Sequence, residues 1–378
     1  MVLDIRPVSS RREMGEFIQL PWKIYKDHPH WVPPLRLQLK TTLNPQKNPF
    51  FEHADVAFFV CREGSEVVGR IAAILNENHN AFHKEKVGFF GFFESIQNFD
   101  VAKVLLDAAS QWVKEKGMGL LRGPMSFSTN DECGFLIEGF DSSPMVMMPY
   151  NPEYYLEFME EYGFQKVKDL LAYVIYRQEL PHRLRRAAEL IQRRRKITLR
   201  SINLKDFERE VERMKEIYNS AWERNWGFVP MTDKEFTHMA KDLREKVIGK
   251  SVIDPDLVLI AEVKGEPVGF SLALPDINQA LKKVNGRLFP FGLLKLRWYM
   301  RKIDAMRLIT LGVKKQYRRL GIDGLFYYET FRRGLEKGYR MGEASWILED
   351  NIMMKRGAEN VGATIYKRYR VYEKSLKS

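Results

Sequence analysis

The chain has 378 residues, of which 45% are hydrophobic and 12% aromatic, so a disordered chain is excluded and about two domains are expected. No apolar run is long enough to span a membrane, Met1–Arg12 has no signal-peptide segment, and two cysteines are too few for a disulfide framework; a cytoplasmic protein is expected. The net charge of +12 favours anionic partners such as phosphates, nucleic acid or an anionic membrane, and a basic solvated surface explains it equally well.

The first half of the chain alternates strand and helix patterns. Asp55–Gly64 and the run after it are β-rich and separated by a charged glycine turn, which predicts a hairpin. Val101–Gly117 and Tyr154–Phe164 are helical patterns that end at a glycine, and Leu171–Tyr176 is a β-rich run. The polar loop Arg122–Tyr150 separates the two helices.

A basic segment, 181–196, follows the first half. Pro181 starts it, and Leu184, Ala187, Ala188 and Ile191 recur at helical spacing, so we expect a helical linker that docks by this face. Its arginines are either a solvated surface or an anion-binding patch.

The second half repeats the first in order. Asp256–Gly265 aligns with the first hairpin, Ile322–Gly338 and Met353–Ala363 with the two helices, and Ile365–Tyr372 with the last strand. The fold class predicted is therefore α/β, with two tandem domains, each a mixed, mostly antiparallel sheet flanked by helices. The predicted extents are 1–180 for the first domain, 181–196 for the linker and 197–378 for the second domain.

The second copy carries an insertion, 279–306, that the first copy lacks. One helical face holds apolar side chains, cations flank it, and Trp298 and Tyr299 add amphipathic rings. This composition suits a helix lying on an anionic leaflet or a lid over a long acyl chain. The alternative is a helix that packs the two copies together. The apolar face is formed by Leu293, Leu296, Met300 and Ile303.

The segment Leu308–Leu325 predicts a strand ending at Val313, a basic turn containing glycine, and a helix. Such a turn offers backbone N–H groups and a helix N-terminus, both of which suit a pyrophosphate. Arg318 and Arg319 add positive charge beside it.

This segment resembles the acyl-CoA loop of the GNAT superfamily of N-acyltransferases, Arg-x-x-Gly-x-Gly after a strand ending in Val. Arg318, Gly321 and Ile322 match the pattern, whereas Asp323 stands where the family has Gly or Ala and Gly324 comes one place late. The resemblance implies acetyl-CoA or acyl-CoA as co-substrate, with no metal. It implies an acyl-CoA site formed by Leu311, Val313, Arg318, Arg319, Leu320, Gly321, Ile322, Asp323, Gly324 and Asn351.

The next strand and helix also resemble the superfamily, because Asn351 and Gly362 fall at its spacing. Ala358 fills the position of the family's usual general acid, a tyrosine, and Tyr366 is the nearest phenol that could replace it. The attacking amine needs a general base, and strand alternation indicates Glu343 or Glu349, with Asp350 as the next candidate. A salt-bridge role for each carboxylate is the alternative.

The first copy has neither the arginines nor the glycines of this loop in Gly91–Asp100, so it is not expected to bind CoA. Its polar loop is expected to shape the acceptor site. Cys133 has no evident histidine partner, and His79 and His83 lack a third ligand, so neither a thiol nucleophile nor a metal site is predicted.

Over nearly its whole length the chain resembles a bacterial tandem GNAT group that includes candidate bacterial ceramide synthases. The resemblance lies in Phe90–Glu94, Arg122–Pro124, Ser345–Asn351 and Tyr366–Tyr372. It implies long-chain acyl transfer to a lipid amine and peripheral contact with an anionic membrane. Two alternatives remain: a ligase that takes aminoacyl groups from tRNA, although nucleic acid is the less favoured partner, and a non-catalytic CoA-binding module.

Overall fold

A computed structural model describes residues 2–178, 180–223, 225–244 and 252–376. Backbone contacts divide the chain into two compact units that are each discontinuous in sequence. Unit 1 comprises Met1–Asp169, Asn285–Arg287 and Arg368–Ser378, and unit 2 comprises Leu170–Val284 and Leu288–Lys367.

Unit 1 is a sheet in the order β1-β2-β3-β4-β5-β13, where β13 is Thr364–Ser375 and β6 lies beside β13; among these described strands, β4 and β5 pair in parallel and the other pairs are antiparallel. Helix α5 packs against β2, β3 and β4, and its buried face includes Val101 and Leu105. The strands are β1 Leu3–Pro7, β2 Ala54–Glu63, β3 Glu66–Asn76, β4 Val87–Ser95, β5 Leu120–Gly123 and β6 Phe135–Glu138. The helices are α1 Arg11–Gln19, α2 Pro21–Ile24, α3 Arg36–Thr42, α4 Glu77–His83, α5 Phe99–Glu115 and α6 Tyr154–Glu161.

Unit 2 is a sheet in the order β7-β12-β11-β10-β9-β8, in which only β11 and β12 are parallel. The strands are β7 Gln165–Tyr176, β8 Ile197–Ser201, β9 Val258–Val263, β10 Glu266–Pro275, β11 Ala305–Val313 and β12 Met341–Leu348; β13 is Thr364–Ser375. The helices are α7 His182–Arg195, α8 Phe207–Trp222, α9 Asp233–Arg244, α10 Asn278–Leu281, α11 Gly292–Met300, α12 Ile322–Glu336 and α13 Ile352–Asn360.

Two helices cover opposite faces of the unit 2 sheet. A Cβ atom on Gly269 would lie 3.0 Å from the Phe326 ring of α12, and one on Gly312 would lie 2.1 Å from the Trp222 ring of α8. Gly269 and Gly312 point to opposite faces because Gly312 pairs with Phe270, the residue next to Gly269. The predicted fold class is confirmed, with a mostly antiparallel mixed sheet between helices in each unit.

The extents of the units differ from the two sequence halves. The last strand of the first half, β7, belongs mostly to unit 2, and the last strand of the second half, β13, belongs mostly to unit 1. The end of β7 pairs with β12, from Leu170 to Tyr176, within unit 2. The end of β13 pairs with β5 and β6 within unit 1. The segment 181–196, expected to be a linker, contains helix α7, which lies within unit 2 and buries Ala188 in the core of that unit.

The insertion folds as α10 and α11, and the strand that follows it begins at Ala305. On the apolar face noted from the sequence, Leu296 is completely buried, whereas Leu293, Met300 and Ile303 are half-buried. A different set of apolar side chains on this insertion is exposed. Among the described residues, no helix is both long and apolar enough to span a bilayer.

Candidate active site

The candidate site in unit 2 is the gap between its two parallel strands. β11 and β12 pair only from Ala305–Met341 to Leu308–Ala344. Each strand then continues for several residues without pairing to the other, and a β-bulge in β11 at this level shifts its register against β10 between Leu272 and Ala273. Unpaired strand edges present N–H and C=O groups, so this gap can accept an extended polar ligand.

A cavity of about 590 Å³ occupies this gap. The second half of β11, from Leu308 to Val313, forms one wall, and Ala344–Leu348 forms another. Trp222 and Trp226 add aromatic surface, and Asp350 to Met354 line the part nearest α13. All of these residues belong to unit 2.

The turn after β11 presents a helix N-terminus to this cavity. A 3₁₀ segment, Lys315–Leu320, leads into Gly321, whose φ of 77° lies in the left-handed region that favours glycine. Gly321 is the N-cap of α12, and no side chain caps the helix there. The first-turn N–H groups of α12 therefore supply the positive end of a helix dipole to an anion.

The cofactor-binding residues predicted from the motif fall in three places around this turn. Leu311 and Val313 lie on β11 and line the cavity, and Asn351 lines it from the start of α13. Leu320 is half-buried, Ile322 is buried, and Gly324 is exposed, with open space where its side chain would be. Their role in binding stays a prediction.

The charged residues of the turn take different positions. Arg318 lines the cavity and donates from Nη2 to the Ala221 carbonyl over 2.6 Å, so its guanidinium is anchored to the end of α8. Arg319 is exposed. Asp323 lies in the first turn of α12 and lines the cavity, which places a carboxylate next to the predicted pyrophosphate position.

A buried polar network lies where the cleft closes. Glu343 and Arg307 are partners in the β11–β12 pairing, one position before the strands part, and form an ion pair of 3.3 Å with both side chains almost completely buried. Ser345 donates to Glu343 over 2.6 Å and accepts from Arg307 Nε over 2.9 Å. Tyr366 donates to the other oxygen of Glu343.

This network brings together two of the predicted catalytic residues, Glu343 and Tyr366. Of its four members, Ser345 is the one that lines the cavity. A substrate amine in the cavity would therefore meet the Ser345 hydroxyl before it could meet the buried Glu343 carboxylate. Whether Glu343 and Tyr366 are catalytic stays a prediction.

The other two predicted carboxylates lie outside the strand. β12 ends at Leu348, so Glu349 lies in the turn after the strand, and its catalytic role stays a prediction. Asp350 is exposed and lines the cavity. Asn351 begins α13, where its side chain accepts from the Met354 N–H over 3.2 Å.

One phenol that lines the cavity, Tyr327, was not singled out from the sequence. Tyr327 lies on α12, is almost completely buried, and donates to the Met354 carbonyl over 3.3 Å. Burial raises the pKa of Tyr327 above its ordinary value, so this phenol stays protonated at neutral pH. Arg307 was also missed, although a charged residue inside the apolar strand Ala305–Val313 signals a buried partner.

In unit 1 the chain itself fills the equivalent gap. β4 and β5 pair in parallel over only three residues, after which the Met125 N–H donates to the Phe90 carbonyl over 2.7 Å. A Cβ atom on Gly91 would lie 2.0 Å from the Met125 carbonyl oxygen. The helix that follows is capped, because the Asn98 side chain accepts from the Asp100 N–H over 2.9 Å.

Of the remaining candidates of unit 1, Cys133 and His79 are buried and His83 is half-buried. Burial raises the pKa of the Cys133 thiol to about 12 and lowers that of His79 to about 4. Among the described residues, no group of three metal-ligating side chains comes together.

The chain and its fold were compared with known proteins. No protein-family model matches the chain. The chain is 36% identical to Protein YghO of Escherichia coli, over 98% of this chain and 95% of that protein. It is also 36% identical to the bacterial ceramide synthase of Caulobacter vibrioides, over 99% of this chain and 98% of that protein. A solved tandem GNAT protein from the clavulanic acid biosynthesis pathway matches with a TM-score of 0.58 and 11% identity, over 100% of this chain and 99% of that chain.

The chain belongs to the family of these two curated relatives, and its fold is that of the tandem GNAT proteins. Because both curated relatives match almost from end to end, the whole two-unit arrangement belongs to the family, and not the second unit alone. The predicted resemblance to the tandem GNAT group with bacterial ceramide synthases is confirmed. In this family member, unit 2 has an open strand gap beside an uncapped helix, whereas in unit 1 the chain fills the gap and caps the helix.

Proposed function

We propose that this chain is an acyl-CoA-dependent N-acyltransferase whose acyl-CoA site is the cleft of unit 2. The observation that carries this proposal is the strand gap beside the uncapped N-terminus of α12 and Arg318. The filled gap and capped helix of unit 1 provide an internal comparison within one chain.

The residues of the turn suit the phosphates of CoA. The N–H groups at Ile322–Gly324 would face the pyrophosphate, and the cationic Arg318 and Arg319 would offset its charge. The edges of β11 and β12 beyond Leu308 and Ala344 would hydrogen-bond the amides of the pantetheine arm. Asp323 opposes this binding by repulsion, and the two arginines outnumber it.

Bound acyl-CoA would supply an activated acyl thioester. Side chains of this chain would remove the proton of the attacking amine and protonate the departing thiolate. An attacking amine must lose a proton, and Ser345 lies between the cavity and Glu343. We assign Ser345 as a proton relay: its hydroxyl accepts the amine proton while it passes its own proton to the Glu343 carboxylate. Tyr327 is the protonated phenol in the cavity and is the better-placed acid for the departing thiolate than Tyr366.

The substrate class is proposed from the relative named bacterial ceramide synthase. A ceramide is the amide of a fatty acid and a long-chain amino alcohol, so the proposed donor is a long-chain acyl-CoA and the acceptor a lipid amine. Apolar side chains at the cavity support this, because Ile352 and Met353 are 58% and 62% exposed there.

A donor and acceptor panel tests the proposal. The full chain is incubated with acetyl-CoA, palmitoyl-CoA or an aminoacyl-tRNA, each with a long-chain amino alcohol or a short soluble amine, and amide products are identified by mass spectrometry. We expect a product from palmitoyl-CoA and the amino alcohol, with stoichiometric release of CoA. Transfer only from aminoacyl-tRNA would establish the tRNA-dependent ligase instead. Transfer only from acetyl-CoA to the short amine would overturn the substrate class.

A further inference from the structure

The insertion of unit 2 exposes a row of large apolar side chains. Phe289, Phe291, Leu294 and Trp298 are 82%, 68%, 65% and 56% exposed. The last three recur at helical spacing from the N-cap residue Phe291 into α11, while Leu296 on the same helix is completely buried. We call these four residues the α11 stripe. Helix α11 thus has one apolar face in the core and a second apolar face toward solvent.

The charge around the α11 stripe has one sign. Residues 279–303 contain seven Lys and Arg and no Asp or Glu. Exposed cations flank the stripe on the same helix and just after it, and the Lys302 ammonium lies 4.8 Å from the centre of the Trp298 ring. These exposed cations are Lys295, Arg297, Arg301 and Lys302.

We infer that the α11 stripe docks unit 2 on the surface of an anionic bilayer, which rests on the proposed function because a lipid amine must be reached in a membrane. Aromatic and aliphatic side chains enter the headgroup boundary while flanking cations bind anionic lipid. A protein partner fits less well, because protein interfaces are depleted of lysine around their apolar cores.

The position of the insertion in the fold suits this docking. Gln279 and Asp304 hold its two ends together through hydrogen bonds of 3.0 and 3.2 Å, immediately before β11 begins at Ala305. The turn proposed for the pyrophosphate follows the other end of β11, after Val313. Eight residues of strand span about 26 Å, several Debye lengths at physiological salt. The anchor of the insertion and the CoA phosphates are therefore at opposite ends of one strand, which limits repulsion between CoA and an anionic membrane.

The test uses the full chain in vesicle flotation, with pure phosphatidylcholine or with equal parts of phosphatidylcholine and phosphatidylglycerol. The Leu294→Ser/Trp298→Ser variant removes apolar surface, and the Arg297→Gln/Arg301→Gln variant removes charge. The matched control is Leu190→Ser, an exposed leucine on helix α7, which carries six arginines. CoA affinity of every variant is measured by calorimetry, so a failure of CoA binding is seen separately from a failure of docking.

We expect the unaltered chain to float with phosphatidylglycerol vesicles, less so at high salt. The apolar variant should bind vesicles at least about ten-fold more weakly, and the charge variant about thirty-fold more weakly, with CoA affinity and the control unchanged. No flotation of the unaltered chain, or equal loss in Leu190→Ser, would overturn the inference. So would sedimentation showing a dimer that the apolar variant dissociates, since the stripe would then be a contact between copies of the chain.

Discussion

The buried pair Arg307–Glu343 gives a prediction that separates a structural role of Glu343 from a catalytic one. Glu343→Gln keeps the shape of the side chain and removes its charge, which leaves the Arg307 guanidinium buried without its 3.3 Å partner. Both side chains are at most 1% exposed, so solvent does not compensate. Removing one member of a buried pair destabilises a protein by about 3–5 kcal/mol, which lowers its melting temperature on the order of 10 °C.

The full cycle adds Arg307→Met and the double variant Arg307→Met/Glu343→Gln. Either single variant leaves one buried charge, whereas the double variant leaves none, so the double variant should be more stable than the sum of the two single effects predicts. Glu349→Gln is the matched control, because this carboxylate lies in the turn after β12; we expect it to change stability by less than about 0.5 kcal/mol.

The assay must report on unit 2, because two units need not unfold together. Hydrogen exchange measured by mass spectrometry on peptides from β11 and β12 provides this, alongside thermal unfolding. Turnover is then compared at a temperature where every variant is folded. If Glu343→Gln and Arg307→Met both unfold at the temperature of the unaltered chain, and their effects add, the ion pair does not hold the closed end of the cleft and this reasoning is refuted.

Three further predictions concern protons. Ser345→Ala should lower turnover about 100-fold or more with CoA affinity kept, and near-normal turnover would exclude the relay. Tyr327→Phe should slow turnover more than Tyr366→Phe, as measured under identical acyl-CoA saturation; the reverse order would return the acid role to Tyr366. In unit 1, burial raises the pKa of Glu94 from 4.5 to about 7. The unfolded chain loses this proton at lower pH than the folded chain, so unit 1 should lose up to about 3 kcal/mol as pH rises from 4.5 to 7. Glu94→Gln should flatten this slope in denaturation at several pH values, and an unchanged slope would contradict it.

The repeat of elements made most of the fold predictable. The glycines that end the helices, such as Gly163 and Gly362, have φ of 88° and 92°, the left-handed conformation that a helix C-terminus favours. The exchange of β7 and β13 was not predictable in this way. Alternation of apolar and polar residues shows that a segment is a strand. Which strand it pairs with depends on contacts between residues distant in sequence, such as Tyr176 with Met341.

The site was predictable where a motif encodes backbone geometry and less so where packing decides. The turn at Arg318–Gly324 could be predicted from its motif, and Gly321 of that motif has a φ of 77°. Glu343 was found by strand alternation, yet its partner Arg307 comes from another strand, 36 positions earlier in the chain. Helix α11 carries two apolar faces, so periodicity alone did not show that the face with Leu296 packs inward.

The central claim is that acyl-CoA binds at the turn of unit 2, and Gly324→Trp tests it most directly. A side chain at Gly324 enters open space, so the fold should persist while the indole blocks the phosphates. Gly15→Trp is the matched control, because Gly15 lies in helix α1 of unit 1 with equally open space. In calorimetric titration with CoA, we predict one site per chain in the unaltered protein and in Gly15→Trp, and no binding in Gly324→Trp. CoA binding of unchanged affinity in Gly324→Trp would contradict the account.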